Sequence, residues 1–238
     1  MTTVNNDLKE LYEGYYESAP SSLVHKRGLS AISTLQHLKE VSGGKRWGRL
    51  IDVGAGDGAV LAKLEEAKTA DELYAVEISE SGVAAIQTVA LPSLKEAKVF
   101  DGYKIDYPDK FFDAAICIHV IEHVEHERVL LRELSRVSKE IIIEVPLEGG
   151  LRIERSIVAG RLYGHINLYT LPGFLYLLET SGLKVEQYAV TTSSADYERH
   201  LYGAFKGTVK SAIRRTAVRL FPSIAPWFFA CLLTVRCR

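Results

Sequence analysis

The chain is short of cysteine, of net charge and of long apolar runs. Its 238 residues include three cysteines, Cys117, Cys231 and Cys237, scattered without a metal-ligand spacing. That argues against a disulfide scaffold and favours a reducing compartment, so the expected location is cytoplasmic. The formal net charge is −1, and no global field draws the chain to nucleic acid or to a membrane. The polar start Met1-Thr2-Thr3-Val4-Asn5-Asn6-Asp7 lacks the apolar stretch of a secretion signal. The most apolar segment, residues 224–235, holds a proline and is too short to span a bilayer as a helix. Internal repeats and low-complexity tracts are absent. What is present is ordinary for a globular protein, 47% apolar and 25% charged residues, in a chain long enough for one α/β domain with a small cap.

Short apolar strands alternate with helical periodicity from about residue 49. Strands are expected near 49–53, 73–78, 98–100, 114–119 and 140–145, and helices near 59–67, 80–89 and 125–137. Continuous apolar strands between helices imply a parallel sheet covered on both faces. Residues 7–18 and about 25–41 read as two N-terminal helices. Residues 147–170 read as a polar connection. Thr170 can cap a helix over 171–181 that Gly182 ends, and 184–190 reads as a sixth strand. Val209, Ala212, Ile213, Ala217 and Leu220 recur at helical spacing, with Lys206, Lys210 and Arg214 on another line. That pattern predicts an amphipathic helix packed through its apolar stripe with a solvated basic edge. The alternative is contact with an anionic substrate or membrane surface through 206–221. Residues 228–236 read as a last strand. The expected organisation is a single domain, 1–238, with cap helices at 1–45, a core at 46–192, a helical insert at 193–226 and a final strand at 227–238.

The chain is organised around residues 50–60, where Asp52 precedes Gly54, Ala55, Gly56, Asp57 and Gly58. Alternate glycines let the backbone turn sharply and let a ligand approach main-chain N–H groups. Gly54, Gly56 and Ala59 also fit the loose dinucleotide pattern G-x-G-x-x-G/A, so the turn alone is ambiguous. Glu77 ends a second strand about 20 residues on, the spacing of an acid that holds a ribose diol. Asp101 follows a third strand. Tyr107-Pro108-Asp109-Lys110-Phe111-Phe112-Asp113 leads into a fourth, after which comes Glu122-His123. This ordered series, over about residues 50–182, resembles the class I S-adenosylmethionine (SAM)-dependent methyltransferases. Gly164-His165-Ile166-Asn167-Leu168-Tyr169-Thr170 is similar to the segment after strand five in their ubiquinone-type and natural-product group.

The resemblance implies a Rossmann-like, seven-stranded, mainly parallel sheet with helices on both faces. Its last strand is antiparallel between strands five and six, and N-terminal cap helices lie over it. It also implies SAM as cofactor. Asp52 lies near the methionine end, the Gly54–Gly58 amides line the centre, and Glu77 holds the ribose. Ile78 packs on adenine, Asp101 and Gly102 read its edge, and Ile118 and His119 border the methionine. Arg27 is a candidate for the SAM carboxylate, since a guanidinium binds carboxylate bidentately. Methyl transfer chiefly requires alignment of nucleophile and methyl, and a base helps when the acceptor is a hydroxyl or protonated amine. His119, His123, His165 and His200 are the histidines considered, with His165 and His119 preferred. No metal is expected. The implied reaction is methylation of a small-molecule acceptor, by first choice a hydroxyl of a sugar or secondary metabolite, with N-methylation or a non-catalytic SAM-binding role as alternatives. An NAD-dependent oxidoreductase is the rival reading of the glycine turn.

Overall fold

The computed structural model describes Tyr16 and residues 21–238; the helix expected over 7–18 therefore lies, apart from helical Tyr16, outside the described residues. Seven strands form one sheet in the order β3-β2-β1-β4-β5-β7-β6. They are β1 (Trp47–Val53), β2 (Ala70–Glu77), β3 (Leu94–Val99), β4 (Phe112–Ile118), β5 (Ser138–Leu147), β6 (Val185–Thr191) and β7 (Cys231–Cys237). β1 to β5 pair in parallel, and β7 runs antiparallel between β5 and β6. The strand order reverses between β1 and β4, which opens a crevice at their carboxyl ends, where open α/β sheets bind ligands.

The central strands are apolar on both faces because helices cover both. Leu50, Ala114 and Ile142 are buried with Leu38, Leu61 and Ile86 on one side, whereas Ile51, Ala115 and Ile143 pack with Leu131, Leu134 and Phe174 on the other. The first layer is built by α1 (Ser21–Ser42), α2 (Ala59–Glu66) and α3 (Glu80–Thr88), the second by α4 (Glu127–Val137) and α6 (Leu171–Thr180). Thr170 caps α6, its hydroxyl accepting from the Gly173 N–H at 3.2 Å, and Gly182 leaves it at φ 85°.

Three expectations change. The helix expected from 25 starts at Ser21. The connection over 147–170 contains a helix, α5 (Ile153–Tyr163). The segment after β6 forms α7 (Ala195–Tyr202) and α8 (Ala204–Leu220), and a short α9 (Ala225–Phe228) precedes β7, so the last strand starts at Cys231.

The packing of α8 is the reverse of the periodicity reading. Its buried residues are Gly207, Ser211, Arg214 and Val218. Small side chains there let α7 approach closely: a Cβ at Gly207 would lie 2.5 Å from Arg199 Cα and Glu198 O. Arg214, expected in solvent, forms a buried ion pair with Glu198. Val209, Ile213 and Leu220 face outward, and Phe205 is 81% exposed. Among the described residues, no helix is long and apolar enough to cross a membrane.

Candidate functional site

The β1 turn builds one side of the crevice. Gly54, Gly56 and Gly58 have φ of 78°, 59° and 80°, the left-handed region that favours glycine. A Cβ on Gly54 would press into Val120 Cγ2. Gly58 caps α2 and approaches Ile86, and it is not among the residues that line the cleft. Asp52 is 2% exposed, and its Oδ2 has no hydrogen-bond partner among the described residues. Burial, with Glu77 nearby, pushes its carboxyl up to about 8. Glu77 closes the turn from β2: its Oε2 accepts from the Gly56 N–H at 2.9 Å, and its Oε1 accepts from the Ser79 hydroxyl at 3.2 Å. Burial raises its pKa against these amide and hydroxyl donors.

Two connected hollows flank this turn. One is lined by Glu77, Ile78, Phe100, Gly102, Tyr103 and Val124. The other is lined by Arg27, Asp52, Ala55, Ile118, Glu122 and His165. Tyr16, Gly54, His119 and His123 belong to both. Of the residues singled out from the sequence, Asp52, Gly54, Ala55, Gly56, Glu77, Ile78, Gly102, Ile118, His119, Arg27 and His165 meet in this cleft. Asp101 stands exposed at its rim, where Oδ1 accepts from the Tyr103 and Lys104 N–H groups and fixes the turn that presents Gly102. Arg27 Nη1 donates to Asp57 Oδ2 at 2.6 Å, and the guanidinium lies over the Tyr16 ring. His200 lies outside both hollows, edge-on to His25.

His119 directly follows β4 with φ 56°, and its N–H donates to Glu144 O at 2.9 Å. Its imidazole lies between two carboxylates, Nδ1 3.2 Å from Glu122 Oε1 and Nε2 3.4 Å from Glu144 Oε1. Burial alone would lower its pKa, but Glu122 and Glu144 override that and raise it to about 10. A histidine held as a cation accepts no further proton. Glu144 is itself buried, and burial works against its charge, yet His119 and His37 hold it well below the usual carboxylate range. It accepts from Thr34 Oγ1 at 3.1 Å and Thr234 Oγ1 at 2.7 Å, and lies 2.8 Å from His37 Nδ1. Thr34, His37, Glu144 and Thr234 went unnoticed in the sequence, where nothing local links them.

The loop carrying His165 is pinned to the short 3-10 turn Ile121–His123. The Ile166 and Asn167 N–H groups donate to Glu122 O, and Asn167 Nδ2 donates to Val124 O at 2.7 Å. His165 Nδ1 is 2.9 Å from Glu148 Oε2, and its ring meets that of His123 edge-on at 4.8 Å. Glu148, just after β5, is a further site residue missed in the sequence.

A family profile described as "Methyltransferase domain" matches residues 23–188. Ajmaline N-methyltransferase of Rauvolfia serpentina is 28% identical over 167 residues, 64% of this chain and 55% of that protein; the chain spans about half the length of the curated relatives it matches. Geranyl diphosphate C-methyltransferase of Streptomyces coelicolor A3(2), solved with Mg2+, geranyl diphosphate and S-adenosyl-L-homocysteine (SAH), superposes with a TM-score of 0.66 at 12% identity, over 99% of this chain and 98% of that one. A protein solved in complex with the Haloferax volcanii Trm112 methyltransferase activator superposes with a TM-score of 0.65 at 13% identity, over 95% and 96% of the two chains. The chain belongs to the methyltransferase-domain family and has the fold of the SAM-dependent methyltransferases.

Proposed function

We propose that the protein transfers the methyl group of SAM to a hydroxyl of a small molecule that enters beside His165. Glu77 takes the ribose diol, Ile78, Gly102 and the rim acid Asp101 take adenine, and the Gly54–Gly58 turn takes the centre. Asp52 and Arg27 take the amine and carboxylate of the methionine end, which Ile118 and His119 border. The observation that carries the reading is the His165–Glu148 pair in the cleft wall beside Glu122 and His123. A carboxylate on Nδ1 fixes the tautomer and leaves Nε2 as the basic atom. His165 removes the hydroxyl proton as the acceptor oxygen attacks the methyl carbon. The C–S bond breaks with its electrons returning to sulfur, and SAH leaves. His119, already a cation, orients Glu122 and takes no proton. An oxygen acceptor needs such a base, whereas an amine that is already neutral does not.

Labelled SAM offered with matched hydroxyl and amine acceptors tests this. Transfer to hydroxyls, with His165→Gln lowering kcat by about 10²–10⁴-fold while SAH binding persists, supports it. Transfer to amines alone gives the N-methyltransferase alternative, the reaction named for the Rauvolfia relative. Binding of SAH without turnover on any acceptor gives a non-catalytic SAM-binding protein.

A second reading concerns where the acceptor comes from. The outward face of α8 and the neighbouring α9, with Phe205, Val209, Ile213, Leu220, Trp227 and Phe228 exposed, suits an acceptor presented at an anionic membrane surface. Lys206, Arg215 and Arg219 on the same helix supply the complementary charge. A cytoplasmic setting belongs to the same reading, supported by the buried cysteines Cys117, Cys231 and Cys237, which are not joined in disulfides.

A further inference from the structure

Glu122, His123 and His165 each direct one ligand atom to a common point, with the three atoms within 4.8 Å of one another. The sequence does not announce this cluster, because His165 comes from a loop far along the chain. Three further observations make it more than a meeting of polar groups. Glu122 is fully buried, its Oε1 faces His119, and its Oε2 has no hydrogen-bond partner among the described residues. His123 Nδ1 is 3.0 Å from Gly164 O, and His165 Nδ1 is 2.9 Å from Glu148 Oε2. Metal-ligating histidines are oriented in this way, one ring nitrogen on a carbonyl or carboxylate and the other on the metal.

We propose that Glu122, His123 and His165 bind one divalent first-row transition-metal ion at the acceptor end of the cleft. Two imidazoles and one carboxylate suit zinc, iron or manganese better than calcium or magnesium, which prefer all-oxygen shells. Metal–ligand bonds of about 2.0–2.2 Å set tetrahedral ligands roughly 3.4 Å apart. From separations of up to 4.8 Å, the widest pair therefore closes by up to about 1.4 Å on loading. Three protein ligands leave a position for the acceptor oxygen. A cation there would lower the proton affinity of a coordinated hydroxyl, so that its proton passes to solvent water; in the metal-loaded protein His165 is then a ligand, and the base role given to it above belongs to the metal-free protein. The site rests on geometry alone; its part in methyl transfer rests on the proposed O-methylation.

The experiment is titration of the chelator-treated full chain with Co2+, read by visible absorption, followed by competition with Zn2+. The expected result is one Co2+ per chain with ligand-field bands that Zn2+ abolishes. His165→Gln and His123→Gln should remove stoichiometric binding, and His200→Gln, outside the cluster, should not. Glu148→Gln, acting only through His165, should weaken binding about 10–100-fold. Calorimetry with SAH on each variant confirms that the fold and cofactor cleft persist, and it separates the two claims: a wild type that binds Co2+ but not SAH leaves the metal site and removes the methyltransferase reading. The proposal is overturned if the wild type takes up neither Co2+ nor Zn2+. It is equally overturned if His123→Gln and His165→Gln bind Co2+ as the wild type does while still binding SAH.

Discussion

Asp52 and His119 hold protons in the folded cleft that they would release in the unfolded chain at neutral pH, for opposite reasons. Asp52 is buried beside Glu77, which raises its carboxyl from 3.8 to about 8. His119 is raised from 6.5 to about 10 by two carboxylates that overcome its burial. Both folded values lie above the unfolded ones, so the folded state binds more protons and stability falls as pH rises. The Asp52 contribution is lost between pH 3.8 and 8, and that of His119 between pH 6.5 and 10. Melting temperature should therefore decline steadily from pH 6.5 to 10. Asp52→Asn should flatten the lower part of that decline and His119→Gln the upper part; parallel curves for all three proteins would contradict these assignments. Glu77 makes the companion case for binding. It accepts from the Gly56 N–H and the Ser79 hydroxyl, so Glu77→Ala removes both the proposed diol acceptor and a support of the turn. A hydrogen bond to a charged group contributes about 1.5–3 kcal/mol, and SAH affinity measured by calorimetry should fall about 10–100-fold or more.

At the scale of elements, α8 shows how far a hydrophobic period can be read. The stripe through Val209, Ile213 and Leu220 is real, but periodicity says only that such residues share a face. It does not say whether that face meets the protein. Here α7 packs on the opposite side, where Gly207 and Ser211 permit close approach and Arg214 neutralises Glu198, which is 1% exposed. Removing one partner of a buried pair costs about 3–5 kcal/mol, so Arg214→Ala should lower stability in chemical unfolding by that order, while the exposed Arg215→Ala changes it little. The outward stripe predicts partition onto vesicles containing anionic lipid, read by cosedimentation at low salt. Ile213→Asp with Leu220→Asp should abolish it without loss of melting temperature; an absence of wild-type partition ends the membrane reading. The glycine turn, the place of Glu77 beside it and the strand ends were legible because turn glycines and strand-end acids sit at short, fixed offsets from their strands. Thr170 and Gly182 were legible because caps are local. The pairs His37–Glu144 and His165–Glu148 were not, since side chains 107 and 17 residues apart meet only after the sheet has formed.

The whole molecule ties its cap to its cleft through one buried carboxylate. Glu144 on β5 gathers Thr34 and His37 from α1, Thr234 from β7 and His119 from the end of β4. The same α1 carries Arg27 to Asp57 on the glycine turn. The cleft is thus linked, through Glu144, to elements from both ends of the described chain, and a ligand there should brace the molecule as a unit. Saturation by a ligand that binds only the folded state adds about 2.7 kcal/mol at 100 times its Kd. For a chain of this size each kcal/mol moves the melting temperature by about 2–4 °C. SAH at that ratio should then raise it by roughly 5–11 °C, while NAD, which the rival reading of the turn requires, should leave it unchanged. Glu144→Gln keeps the shape but weakens the hold on His37 and His119. It should lower the melting temperature of the free protein and also reduce the SAH-induced rise, because part of the binding energy then goes into reassembling the cap. A rise equal to the wild-type value in Glu144→Gln would show that α1 and the cleft are energetically independent.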